Sequence, residues 1–360
     1  MLLDQDKVFQ ELQRILKKRP VLVVGTGASC ALDRRFGMEA LAQELERTIN
    51  PGVHSSQWQQ ALANLHSGQG LEQSLDAVTE PVLRDIIVTA TGAFVASVDK
   101  EWAWGVGTGE TPGPLEKILR KLVDGLPPST PVQQVVTLNY DMLIEHTCDA
   151  LDIRWTDGFP PGGICRWDWR AAEDSMLTLV RQPRGRKKED VQRFRSHVRL
   201  HKVHGSISWF QREQSGELVR AERTADDQPP PGWKRAMITP GRAKLEDAGQ
   251  HRQWFAKADE VIETANALLV VGYGFNDVHL EQGMKRRVFS EGCPGVVVTR
   301  GWSAKIREWV CHSPDLWAVC QNPDRARNGT IIVGPGNVGA PFVCEGSDLW
   351  NIASFADAVM

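Results

Sequence analysis

"VLVVGTGAS", residues 21–29, runs four apolar positions into two glycines flanking a threonine and closes on a serine. A short unbroken apolar run that ends in a glycine turn reads as a strand buried on both faces, as in parallel sheets. The arrangement returns late in the chain as "ALLVVGYGFND", residues 267–277, with Gly272 and Gly274 in the turn. Buried strands with glycine exits, separated by helical stretches, define an α/β chain.

The neighbouring segments extend this pattern. Residues 5–18 place Val8, Leu12 and Ile15 at helical spacing, and Pro20 closes the helix. "MEALAQELERTI", "SSQWQQALANL", "LEQSLDAV" and "PLEKILRKLVDGL" carry apolar residues three and four apart, so residues 38–126 read as mostly helical. "VQQVVTLNYD", "HVRLHKVHGSISWF", "CPGVVVTRG" and "GTIIVGPGN" are further strand candidates. The polar, proline-rich residues 211–235 read as a surface excursion. The expectation is a Rossmann-like, mainly parallel, doubly wound sheet with a helical insertion module, in one domain over residues 1–360. Its core would span 20–35, 131–150 and 197–345, with the insertion at 36–130 and an irregular Trp-rich and basic loop at 157–196.

Composition narrows the function classes. A hydrophobic share of 41%, a charged share of 24% and a net charge of −3 describe an ordinary globular chain. Nothing in that balance calls for nucleic acid or a membrane as partner. The first residues lack the apolar core of a signal peptide, and the longest apolar runs are strand-sized, so a cytoplasmic protein is expected. Seven cysteines at positions 30, 148, 165, 293, 311, 320 and 344 form no CxxC pair, which favours reduced thiols over a disulfide framework or a zinc ribbon. The basic stretch 181–195 carries seven Lys or Arg against two acids and reads first as a solvated loop, second as a partner contact.

Four stretches carry candidate chemistry. In the first, Gly25 and Gly27 would let the backbone approach a diphosphate, although a tight strand-to-helix turn explains them equally well. In "TLNYD", Asn139 and Asp141 lie two apart on an extended segment and so could face one pocket; alternatively Asp141 caps a helix. "KVHGSISW" ends a strand on His204 and Gly205, a geometry for a general base or for a structural histidine. "GYGFND" repeats the logic of the first turn, with Asn276 and Asp277 opening the next helix. The chain's only tyrosines, Tyr140 and Tyr273, fall in the second and fourth stretches.

In this order the stretches resemble the sirtuin-like (silent-information-regulator-like) superfamily, with its phosphate turn, T-x-N-x-D segment, HG dipeptide and late glycine turn. "GYGFND" with "KVHGSI" is most similar to the prokaryotic NAD-consuming branch of antiphage defence. The resemblance implies NAD as substrate and no metal. It implies Gly25, Gly27, Ala28 and Ser29 at the diphosphate, and Asn139, preceded by Thr137, at a water or the ribose. Asp141 would meet the carboxamide and His204 would act as base; Gly272, Gly274, Asn276 and Thr299 would lie toward the adenosine.

The departures from the family also inform. Sirtuin deacylases carry two CxxC pairs between the HG dipeptide and the late turn, and this chain has no cysteine between Cys165 and Cys293. Leu138 stands where deacylases have a glutamine, and "CALDRRFGM" replaces their conserved loop. The resemblance therefore implies an NAD glycohydrolase releasing nicotinamide and ADP-ribose, or its cyclic form, during abortive infection. The alternatives are a zinc-free deacylase or ADP-ribosyltransferase, and a non-enzymatic NAD or ADP-ribose sensor. Implied partners are a second copy in a homo-oligomer, a DNA-translocase ATPase or Argonaute-like protein, or a phage protein as trigger. Neither a membrane nor directly bound nucleic acid is expected.

Overall fold

A computed structural model describes residues 5–184, 187–221, 229–238, 244–324, 328–335 and 338–360. The central sheet has nine strands: β1 (Val21–Val24), β2 (Val132–Thr137), β3 (Arg154–Thr156), β7 (His197–Lys202), β11 (Leu268–Val271), β12 (Gly295–Thr299), β13 (Leu316–Gln321), β14 (Gly329–Val333) and β15 (Phe342–Glu345). Their order is β15-β14-β13-β12-β11-β1-β2-β7-β3. The seven strands from β13 to β3 run parallel, and β14 and β15 add an antiparallel edge.

Alternate residues of each strand feed opposite cores. Val21, Val23, Val136, Leu268, Val270 and Val297 join one apolar cluster, while Leu22, Val24, Val135, Leu269, Val271 and Val298 join the other. Both faces are covered, which is why the strands read as unbroken aliphatic runs. On one face lie α10 (Lys244–Glu263), α11 (Val278–Lys285) and α12 (Ala304–His312). On the other lie α1 (Gln5–Leu16), α7 (Glu116–Asp124), α8 (Leu143–Ala150) and α13 (Ile352–Val359). The short α2 (Thr26–Cys30) follows β1 directly.

Between α2 and α7 stand α3 (Met38–Thr48), α4 (Ser55–His66), α5 (Leu71–Leu75) and α6 (Pro81–Gly107), with an apolar core of their own around Leu45, Trp58, Leu75, Leu83 and Ile87. Helix α6 is long and apolar enough to cross a membrane by length and composition, the one such helix among the described residues. Reading the sequence by runs missed it because Arg84, Asp85 and the charged stretch from Asp99 to Glu101 interrupt it. Here it packs against α3, α8 and a second sheet.

That sheet is antiparallel, in the order β10-β8-β9-β4, from β4 (Ile164–Arg166), β8 (Gly205–Arg212), β9 (Leu218–Ala221) and β10 (Trp233–Met237). The described parts of residues 211–235 are thus more than a surface excursion, residues 222–228 lying outside the described residues. Val219 and Arg220 are buried there, with the Arg220 guanidinium donating to Asp157 Oδ1 over 2.8 Å. Trp209 Nε1 donates to the other Asp157 oxygen over 2.9 Å.

Residues 157–196 also hold more order than the irregular loop expected of them. Besides β4 they form α9 (Trp169–Asp174) and a hairpin of β5 (Leu177–Arg184) with β6 (Lys187–Phe194). Where side chains are described, the hairpin is largely solvated; Arg181 and Asp190 form a cross-strand ion pair at 3.5 Å. A strand pair wet on both faces needs no apolar alternation, so its charge reads as loop. Residues 185 and 186 of the basic stretch lie outside the described residues.

Candidate functional site

The sheet register brings the four motif stretches to one level. Val24 pairs with Val271 and with Thr137, and Thr137 pairs with Lys202. Gly25, Leu138, Val203 and Gly272 are therefore the first residues beyond a single row of the sheet, at its carboxyl edge. Val271 also pairs with Val298, which sets Thr299 beside Gly272. From β1 the chain proceeds to β2 on one side, while β11 sits on the other. The topological switch thus falls between β1 and β11, where open α/β sheets bind ligands.

The two glycine turns meet across that switch. Gly27 N donates to Gly272 O over 2.9 Å, and Gly25 N to Val271 O over 2.9 Å. A Cβ on Gly25 or Gly27 would lie 2.7 or 2.8 Å from Gly272 O, and Gly272 itself has φ +61°. The glycines are needed for the approach of one backbone to another. Ala28 N donates to Gly25 O over 3.1 Å. The amides of residues 25, 27 and 28, expected at a diphosphate, are thus bonded within the protein.

Ser29, buried behind the turn, joins the first stretch to the second. Its hydroxyl donates to Asp141 Oδ2 over 2.7 Å and accepts from Asn139 Nδ2 over 2.9 Å. Asn139 Nδ2 also lies 3.2 Å from Gly25 O, and Thr137 Oγ1 accepts from Asn139 N over 3.1 Å. The amide is held from one side only. Asn139 is 4% exposed, and its Oδ1 has no hydrogen-bond partner among the described residues. An unmatched buried acceptor of this kind is a place where a water or ligand can bind.

Asp141, expected at the carboxamide, has both carboxylate oxygens engaged within the protein. Its Oδ1 accepts from Leu143 N over 3.2 Å at the start of α8, and its Oδ2 is taken by Ser29. Burial raises its pKa, opposed by the charge of Lys202. Lys202 is fully buried and donates to Asp141 O over 2.5 Å and to Glu145 Oε1 over 2.7 Å. Burial likewise raises the Glu145 carboxyl, again opposed by Lys202. The geometry gives Asp141 and Lys202 the task of shaping the Asn139 loop. Asp99, from the middle of α6, completes it by accepting from Met142 N over 2.7 Å and lying 3.1 Å from His146 Nε2.

His204 leaves the sheet beside this loop. Its Nε2 lies 3.0 Å from Asp277 Oδ2, with His204 4% and Asp277 2% exposed. Asp277 Oδ1 caps α11, accepting from Leu280 N over 2.9 Å. Tyr140 and Phe255 flank the imidazole at ring-centroid distances of 6.3 and 6.4 Å. Gly205 has φ +77°, with no room for a Cβ against Ala236 O, so a glycine after the histidine is obligatory.

Asn139, Asp141, Ser29 and Thr137 form one bonded cluster, and His204 forms a second with Asp277. Gly274 and Asn276 are exposed in the late turn, and Thr299 is half-buried at the end of β12. Sequence reasoning missed the pairing role of Asp277, whose helix-cap signal masked it, and gave no hint of Asp99, which sits mid-helix. The odd polarity of Lys202 was visible, its burial was not. Among the described residues no group of three or more His, Cys, Asp or Glu side chains could hold a metal ion.

Residues 133–294 match the family model described as a SIR2-like domain. That span includes Asn139, Asp141, His204 and Asp277. No curated protein matches the chain. It is similar, at 14% identity and TM-score 0.37, to a structure from work on the mechanism and regulation of Sir2 enzymes, covering 83% of this chain and 88% of that one. It is also similar, at 14% identity and TM-score 0.38, to a Sir2 homologue mutant with 2′-O-acetyl ADP-ribose, covering 87% of this chain and 90% of that one.

Proposed function

We propose that this chain is an NAD glycohydrolase, cleaving NAD to nicotinamide and ADP-ribose. The observation that carries the reading is that Asn139, whose buried Oδ1 is unmatched among the described residues, and the His204–Asp277 pair all follow strands at the same carboxyl edge of the sheet. The SIR2-like match across the same residues supports NAD as the substrate.

The chemistry follows from those groups. Breaking the bond between ribose C1′ and nicotinamide sends its electrons to the departing ring and leaves an oxocarbenium-like ribose. Asn139 Oδ1, a fixed acceptor in a site of low dielectric, orients the attacking water or stabilises the positive sugar. The water oxygen bonds to C1′, and His204 takes the released proton. Attack by an adenine nitrogen of the same molecule in place of water gives the cyclic product. With their amides bonded internally, Gly25, Gly27 and Ala28 serve this reading as the wall of the site.

The resemblance extends the proposal to antiphage defence by NAD depletion, switched on by self-assembly or by a second protein. The test is NAD turnover by the purified protein beside Asn139→Ala and His204→Ala, with products separated by chromatography. Nicotinamide and ADP-ribose from the wild type alone, without an acylated peptide, is the expected result. Turnover that requires an acylated peptide would replace the glycohydrolase with a deacylase.

A further inference from the structure

We infer that Asp277 is the positioning residue of His204, holding the imidazole in one tautomer while capping α11. This inference rests on the glycohydrolase reading for its kinetic consequence and on geometry alone for the pair itself.

The two oxygens of Asp277 face two tasks. Oδ1 receives Leu280 N and Oδ2 faces His204 Nε2, both within 3.0 Å. A carboxylate can only accept, so the ring proton between the two belongs to Nε2. The lone pair of the neutral ring then sits on Nδ1, which is the nitrogen that accepts the proton from water. As the imidazolium forms, the carboxylate stabilises it across the same bond, the role an aspartate plays behind a catalytic histidine in hydrolytic triads. Titratable groups described around the pair include Tyr140 and Tyr273, whose hydroxyl pKa burial raises so that neither competes as an anion, and His279, which feels the charge of Asp277.

The arrangement also crosses the switch point. His204 leaves β7 on one side of β1, and Asp277 follows β11 on the other. The base is therefore complete only when the late glycine turn is seated against the rest of the edge.

Asp277→Asn separates the two tasks. An asparagine keeps the capping oxygen toward Leu280 N and turns its amide hydrogens toward His204. The ring must then accept at Nε2 and carry its proton on Nδ1, where it cannot serve as base. The experiment records long-range proton–nitrogen spectra of histidine-labelled protein, together with NAD kinetics. Expected are an Nε2-protonated His204 in the wild type, inversion of the tautomer in Asp277→Asn, and a His204 titration midpoint moved to lower pH. The variant's kcat should fall about 10²–10⁴-fold with KM little changed. Asp277→Ser, which keeps a capping oxygen but cannot reach the ring, should lower the midpoint without inverting the tautomer. An unchanged tautomer and midpoint in both variants would overturn the inference. Inversion without any wild-type NAD turnover would overturn the glycohydrolase instead and leave the pair standing.

Discussion

The Ser29 hydroxyl donates to Asp141 Oδ2 over 2.7 Å, joining residues 112 positions apart and fixing the turn after β1 to the loop after β2. The Ser29 hydroxyl oxygen accepts in turn from Asn139 Nδ2 over 2.9 Å, so one hydroxyl holds both members of the second motif. Ser29→Ala strands a buried carboxylate oxygen and a buried amide hydrogen. The expected cost is about 1–3 kcal/mol of stability, read by urea denaturation. NAD turnover should fall with it, since Asn139 loses the partner that sets its amide plane. Unchanged stability and turnover would mean that Asn139 is held by its other contacts.

The Lys202–Glu145 pair lies wholly within the protein. Replacing one partner leaves an uncompensated buried charge, so Lys202→Met should cost about 3–5 kcal/mol, and the Lys202→Met, Glu145→Leu double variant clearly less. The double variant still lacks the bond to Asp141 O, and its NAD turnover should stay depressed after stability recovers. Full recovery of both would show that the ion pair has no part in holding the Asn139 loop.

His201 provides a pH dependence. Burial, with the nearby Arg199 charge, lowers its pKa from 6.5 to about 3. A depressed folded value means that the unfolded chain takes up a proton the folded chain refuses. Stability is thus unaffected above about 6.5 and falls as pH drops from there toward about 3, by at most about 1.4 kcal/mol per pH unit. His201→Gln loses the stacking on Trp169, whose ring centroid is 5.3 Å away, and should be less stable at pH 7. Between pH 7 and pH 5 it should lose about 1–2 kcal/mol less than the wild type, measured by denaturation at each pH. Parallel acid limbs would rule out a neutral buried His201.

Gly272 adopts φ +61°, and a Cβ there would stand 2.4 Å from Ala28 N. Gly272→Ala combines backbone strain with a clash against backbone that cannot rotate away. A loss of at least about 2–3 kcal/mol is expected, seen as a lower denaturation midpoint or as insoluble protein. Gly274→Ala, in the exposed part of the same turn, provides the contrast and should change stability little, since the nearest atom is the mobile Asn276 side chain at 3.2 Å.

The central sheet was legible because it is covered on both faces, which forces unbroken runs such as Val21–Val24 and Leu268–Val271. The four stretches at its edge were legible for the same reason: each begins where such a run stops. What escaped were partners contributed across distance. Asp277 advertises a helix cap, and its second oxygen has no sequence signature. Asp99 meets Met142 N only because α6 crosses the loop, which no local pattern encodes. The second sheet was hidden because its strands bury arginines, Arg220 and Arg235, whose polarity reads as surface until Asp157 and Ile207 O are placed beside them. The close approach of the two glycine turns was equally hidden, since Gly25 and Gly27 are also shaped by the backbone of Gly272, which lies far away in the sequence.

That contact between turns bears on how this protein is dissected genetically. A glycine-to-alanine change at 27, the usual choice for a binding-dead control in a chain with such a turn, would push apart two strands on either side of the switch. Its phenotype would be that of a misassembled protein, and a loss of activity in cells would be mistaken for a requirement for substrate. Asn139→Ala avoids that clash but also removes two buried donations, to Ser29 Oγ and Gly25 O, so a null allele there reports on chemistry only beside a measured, unchanged stability.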